Sequence, residues 1–209
     1  MNQLDETINY LARTWSPLFG IIDYLEISQI PLQPVLPSNY TGHLYLGPLF
    51  PSEVLLSFFR EKNITVVISM GFPTKPFPDV PGIHWYGYPI EDNLQEDNAK
   101  RFENYLPEIC TILDSSLSKG ENVYVHCMAG ISRSATVVLY FLISRFLVFS
   151  YNNKPLSLKF WHTFKTLSPS KNLLLDFVKY LKKYRKVISP NRRFLQICHD
   201  FIQKNYVYA

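Results

Sequence analysis

The sequence predicts an α/β domain on a central, mostly parallel sheet of four to five strands flanked by helices. Two apolar runs, Ile64–Met70 and Val123–Val125, lack the apolar–polar alternation of a half-exposed strand. That pattern suits strands buried on both faces of a sheet. Segments with helical spacing of apolar residues lie between and after them, and strands alternating with helices favour a parallel sheet. Hydrophobic residues make up 47% of the 209 positions, enough for a substantial core.

Taken in order, Thr7–Trp15 has the makings of a short helix, and Pro31, Pro34 and Pro37 then break regular structure. Residues 1–40 read as an arm that packs on the domain or reaches away from it. His43–Gly47 is a strand candidate and Ser52–Lys62 a helix candidate. Ile64–Met70 is a buried strand, and the prolines of Phe72–Pro81 require a loop. Ile83–Pro89 is another strand, followed by a polar loop. Phe102, Leu106, Ile109, Ile112 and Leu113 give Asn98–Leu117 a helical stripe, with Asp97 as its N-cap and Gly120 as its stop. Val123–Val125 leads straight into His126-Cys127, and Ser132–Arg145 is the next helix.

Composition excludes several classes. Cys110, Cys127 and Cys198 give neither a disulfide framework nor a zinc-type pair, so an intracellular, reducing, cytoplasmic setting is the expectation. No signal peptide or myristoylation site is expected at the N-terminus. Ala135–Phe149, the most apolar run, contains Ser144 and Arg145 and falls short of the ~20 residues that span a bilayer; it reads as a core helix. A net charge of +4 is too mild to imply nucleic acid but fits a partner bearing phosphate.

The chemistry concentrates in His126-Cys127-Met128-Ala129-Gly130-Ile131-Ser132-Arg133-Ser134. A cysteine ends a buried strand, a short loop follows, and an arginine stands at the start of a helix. Such a loop can wrap its backbone N–H groups around one anion, and the helix N-terminus adds partial positive charge. Gly130 permits a backbone conformation that a side chain would obstruct. The fork of Arg133 can clamp two phosphate oxygens. The same field favours a thiolate at Cys127, placed for in-line attack on phosphorus. Ser134 can donate a hydrogen bond to the sulfur and ease its departure.

This segment resembles the Cys-x5-Arg signature of protein tyrosine phosphatases, in the fuller His-Cys-x-Ala-Gly-x-Ser-Arg-Ser-Ala form of the dual-specificity phosphatases. Met128 and Ile131 fill the variable places and Ala135 continues the match. The resemblance covers roughly residues 40–205. It implies a protein tyrosine phosphatase-like fold, a phosphoprotein substrate, a cysteinyl-phosphate intermediate, and no metal or organic cofactor. The phosphate would lie against Met128, Ala129, Gly130, Ile131, Ser132 and Arg133.

The mechanism needs a proton donor for the leaving oxygen and later a base for water. By the resemblance, Asp92 in Pro89-Ile90-Glu91-Asp92-Asn93 is that group. Of its rivals, Asp97 is better read as a helix cap, and Glu91 and Glu96 as solvated loop charges. Ile188-Ser189-Pro190-Asn191 resembles the family motif that opens the last helix and braces the phosphate loop. Asn191 is therefore a supporting residue or the start of an ordinary helix. His126 either sets the environment of the thiolate or is a buried, hydrogen-bonded histidine. Cys110 and Cys198 read as inert core residues.

Two regions depart from the family: the arm, and residues 149–170, read as an insertion. Lys182, Lys183, Arg185, Lys186, Arg192 and Arg193 read as a solvated helix face that can also guide an acidic substrate. Relatives with this loop act on phosphoproteins, phosphoinositides or RNA 5′-phosphates. The uncharged Met128 and Ile131 disfavour the lipid type, and Gly-Ile-Ser-Arg-Ser disfavours the RNA type. No Trp-Pro-Asp loop is present, so a shallow pocket accepting phosphotyrosine and phosphoserine or phosphothreonine is the leading expectation. The alternatives are a non-protein substrate and a phosphate-binding pseudophosphatase. An arm exchanged between subunits of a homodimer is a further expectation.

Overall fold

A computed structural model describes residues 24–29, 39–151 and 173–205. Five strands form one sheet: β1 (Leu25–Glu26), β2 (Leu44–Pro48), β3 (Ile64–Met70), β4 (His84–Tyr88) and β5 (Asn122–Cys127), in the order β1-β2-β5-β3-β4. β1 runs antiparallel to β2, and the remaining pairs are parallel. The helices are α1 (Ser52–Glu61), α2 (Glu96–Ser118), α3 (Arg133–Tyr151), α4 (Leu173–Tyr184) and α5 (Arg192–Asn205). The proposed Thr7–Trp15 helix lies outside the described residues, as do most of the arm and of the 149–170 insertion. Within the arm, Leu25 pairs with Leu46 and Glu26 with Tyr45. Among the described residues no helix is long and apolar enough to cross a membrane.

Strand periodicity sorts the core into two layers. Val123 and Val125 of β5 join Leu44, Leu46, Val66, Ile68 and Met70 on one face. There they meet Phe102, Leu106 and Ile109 of α2, Ala135 and Val138 of α3, Phe177 and Leu181 of α4, and Phe194 of α5. Tyr124, Val67 and Tyr45 point to the opposite face, under Leu55, Phe58 and Phe59 of α1. With both faces covered, β5 sits centrally between β2 and β3 and carries Cys127 to the carboxyl end of the sheet, the edge at which such sheets bind ligands.

Most expected boundaries shift by one or two residues, but α3, expected over Ser132–Arg145, runs on to Tyr151. β2 starts one residue later than expected, and β5 extends to Asn122, paired with Ile64 of β3, and to Cys127, paired with Pro48 of β2. The expected cap of α2 is corrected: the helix begins at Glu96 with Gln95 at the cap position, and Asp97 lies in its first turn. Both acidic residues there still complement the helix N-terminus. Gly120, with φ of 82°, does end this helix region.

Candidate active site

Cys127 ends the central strand, and α3 starts six residues later at Arg133. Its Sγ is buried and accepts hydrogen bonds from Ser134 Oγ and from the backbone N–H of Gly130, both at 3.2 Å. Burial alone would raise this thiol. The Arg133 charge, the Ser134 hydroxyl and the backbone N–H groups of Ser134 and Gly130 outweigh it, and the thiol titrates below its ordinary value.

Two glycines let the walls close around this atom. Gly130 has φ of 65°, and a Cβ there would lie 2.5 Å from the carbonyl carbon of Gly47 in β2. Gly71 has φ of 97°, and a Cβ there would lie 1.9 Å from Arg133 Nη1.

Arg133 Nη1 donates to the carbonyl of Ile90 at 3.1 Å. Its Nε is buried without a hydrogen-bond partner and lies 3.9 Å from Asp92 Oδ2. A buried guanidinium donor left unmatched is costly, and an oxyanion is the partner that would satisfy it.

Asp92 lies on the loop between β4 and α2. Its Oδ1 accepts from Ser132 Oγ at 2.9 Å and from Asn191 Nδ2 at 2.7 Å. The rival carboxylates are engaged elsewhere or solvated. Glu91 accepts from Asn93 Nδ2, Glu96 pairs with Lys100 at 2.8 Å, and Asp97 is exposed. Asn98, which the sequence reading did not single out, is buried in α2 and fixes the loop. Its Nδ2 donates to Glu91 O at 2.7 Å and its Oδ1 accepts from Glu91 N at 3.1 Å.

Asn191 makes contacts that suit both of the readings left open for it. Its Oδ1 accepts from Phe194 N at 3.0 Å, a helix cap on α5. Its Nδ2 reaches Asp92, and its backbone N–H donates to Ser132 Oγ at 3.1 Å. One residue thus ties the acidic loop to the cysteine loop.

His126 is fully buried, stacked on Tyr124 with ring centroids 5.6 Å apart. Trp85 Nε1 donates to Ser69 Oγ at 2.7 Å. The Ser69 hydroxyl proton is then free to point at His126 Nε2, also 2.7 Å away. Nε2 accepts, so Nδ1 carries the proton and faces Cys127 O at 3.3 Å. Burial pushes this imidazole down to about 4, which keeps it neutral.

The carbonyls of the loop are all turned into the surrounding protein. Met128 O accepts from Leu49 N, Ile131 O from Ser189 N and Ser132 O from Thr136 N. Ala129 O and Gly130 O both accept from the guanidinium of Arg185. The reading of the basic cluster as a solvated face is corrected at this residue: Lys182, Lys183, Lys186, Arg192 and Arg193 are exposed, but Arg185 is 3% exposed. The signal lay in the helical spacing. Phe177, Leu181 and Arg185 are four residues apart, so Arg185, the first residue after α4, continues the line of its buried stripe, and its backbone N–H still donates to Leu181 O at 3.0 Å. Cys110 and Cys198 are buried and take no part. Burial pushes Cys110 up to about 11 and raises Cys198 as well.

Comparison with known proteins agrees with this geometry. The family model described as dual specificity phosphatase, catalytic domain, matches residues 44–154. Dual specificity protein phosphatase 6 of Homo sapiens is 30% identical over 171 residues, 81% of this chain and 37% of that protein. Dual specificity protein phosphatase 2 of Mus musculus is 31% identical over 160 residues, 76% of this chain and 41% of that protein. The chain therefore spans about two fifths of the length of these curated relatives. Among solved structures, the human tyrosine phosphatase-like serine/threonine/tyrosine-interacting protein superposes with a TM-score of 0.57 at 22% identity, covering 83% of this chain and 96% of that one. At that identity the likeness speaks for the fold.

Proposed function

We propose, since the chain belongs to the dual specificity phosphatase family, that it hydrolyses phosphotyrosine and phosphoserine or phosphothreonine in proteins through a cysteinyl-phosphate intermediate. The observation that carries this reading is the Cys127 sulfur, buried at the end of the central strand, held by Ser134 Oγ and Gly130 N–H and charged against Arg133.

In the first step the thiolate attacks phosphorus. The P–S bond forms as the ester P–O bond breaks, and Asp92, protonated for this step, gives its proton to the leaving oxygen. Arg133 binds two oxygens of the transferring group, using donors that include the unmatched Nε. In the second step Asp92, now a carboxylate, takes a proton from water as that water attacks phosphorus. The P–S bond breaks, inorganic phosphate leaves, and the sulfur departs as a thiolate stabilised by Ser134. Arg133 reaches Ile90 O and approaches Asp92, so the acidic loop and the phosphate clamp are neighbours. The uncharged Met128 and Ile131 support a protein substrate over a multiply phosphorylated lipid.

The test is hydrolysis of a small aryl phosphate across pH, with reductant and chelator present, beside Cys127→Ser and Asp92→Asn. Turnover by the wild type, none by Cys127→Ser, and slowed turnover with an altered pH profile for Asp92→Asn is the expected pattern. Phosphotyrosine and phosphothreonine peptides then test dual specificity, and turnover of phosphotyrosine alone would refute it.

A further inference from the structure

The segment joining α4 to α5 grips the cysteine loop at successive points. Arg185 donates to Ala129 O at 3.4 Å and, more closely, to Gly130 O. Ser189 N donates to Ile131 O at 2.9 Å, and Asn191 N donates to Ser132 Oγ at 3.1 Å. In a trans peptide the N–H points away from the C=O. Drawing the carbonyls of Ala129, Gly130 and Ile131 outward therefore turns the N–H groups of Gly130, Ile131 and Ser132 toward the centre of the loop. The first of these is seen on Cys127 Sγ. The guanidinium also brings a buried positive charge against the outside of the loop.

We propose that Arg185 is a positioning residue for the phosphatase reaction: its planar fork spans two consecutive loop carbonyls and thereby orients the loop N–H groups toward the substrate phosphate. This rests on the phosphatase reading but is separable from it. Arg185 touches neither the phosphate nor the sulfur; it acts through the loop. A lysine keeps the charge but offers a compact ammonium without the fixed fork, so it cannot hold both carbonyls in the arginine's geometry.

The experiment compares wild type, Arg185→Lys, Arg185→Met and the exposed control Lys182→Ala. Two readouts need no turnover. One is the pH midpoint for alkylation of Cys127 by iodoacetamide, followed by peptide mass. The other is the concentration of inorganic phosphate that protects Cys127 from alkylation. Charged hydrogen bonds are worth ~1.5–3 kcal/mol, which sets the scale at about tenfold or more. Arg185→Met is expected to move the midpoint upward and to require about tenfold more phosphate. Arg185→Lys is expected to recover most of the midpoint but still require severalfold more phosphate. Lys182→Ala should match wild type in the midpoint.

Arg185→Lys decides the matter if Arg185→Met does not fold. Wild-type phosphate protection in Arg185→Lys overturns the proposal. So does an unmoved midpoint and unmoved protection in a folded Arg185→Met, since a purely structural role lowers thermal stability without shifting either. If the wild type binds phosphate but turns over no phosphomonoester, the reaction reading fails while the Arg185 comparison still gives its answer. If the wild type is active and Arg185→Lys protects normally, the Arg185 proposal fails alone.

Discussion

His126 makes the stability of this fold depend on acid in a way that can be calculated. In the unfolded chain the imidazole takes up a proton below its ordinary 6.5, whereas the buried ring holds out until about 4. Its contribution is therefore fully present above pH 6.5 and drains away as pH falls toward 4. The whole interval is worth about 3 kcal/mol, of which about 2 kcal/mol is lost by pH 5. The geometry supplies the reason. Nε2 accepts from Ser69, whose oxygen already accepts from Trp85. A proton on Nε2 would displace the serine hydroxyl proton, which would then need a new partner inside the core. Urea unfolding of wild type and His126→Asn at pH 8 and pH 5 isolates this group, because titrations common to both proteins cancel in the difference. The stability gap between them should shrink by about 2 kcal/mol from pH 8 to pH 5, or about 1 M in urea midpoint. A gap independent of pH would refute the neutral, locked imidazole.

Other consequences are equally direct. Gly130→Ala should abolish phosphate protection of Cys127, because the new Cβ meets the β2 backbone at 2.5 Å and the positive φ penalises it further; binding assays with inorganic phosphate check this. Ser134→Ala removes a 3.2 Å donor from the sulfur, so the alkylation midpoint of Cys127 should rise and turnover fall about tenfold. Phe58→Ala empties the centre of the aromatic cluster under α1 and should cost about 3–5 kcal/mol in chemical unfolding. Asn191→Ser keeps a cap for α5 but loses the amide on Asp92. Its defect should be small for an aryl phosphate with an acidic leaving group and about tenfold larger for an alkyl phosphate, whose leaving oxygen needs the proton. Equal defects on both would show that Asn191 does not orient the acid.

The parts of the fold readable in advance were those whose signal is local. Ile64–Met70 needs no partner to be recognised as a buried strand, and the structure gives it those limits. The helical stripe of α2 likewise declares itself, with its start misplaced by two residues and its end by one. Asp97 has the chemistry of a cap, but the chain before it is held by Asn93 Oδ1 on Gln95 N and by Asn98 on Glu91, so the helix begins earlier. β1 gave no readable signal. Two residues carry no periodicity, and their pairing with Leu46 and Tyr45 is a tertiary fact.

The site divides along the same line. A short sequence can spell out a nucleophile, a loop and an arginine, because strand, turn and helix N-terminus follow one another within it. The chain that shapes the loop from outside is distant in sequence. Leu49 holds Met128 O, Arg185 holds Ala129 O and Gly130 O, and Ser189 holds Ile131 O. These donors share no motif with the cysteine, and two of the three are backbone groups that any residue other than proline supplies. Arg185 is the exception. It is a side chain, its place in line with the buried stripe of α4 was legible, and its charge led to the opposite conclusion. A charge on an apolar helical stripe has to find a buried partner or pay for its desolvation, and here the partners include the carbonyls of the loop that carries Cys127.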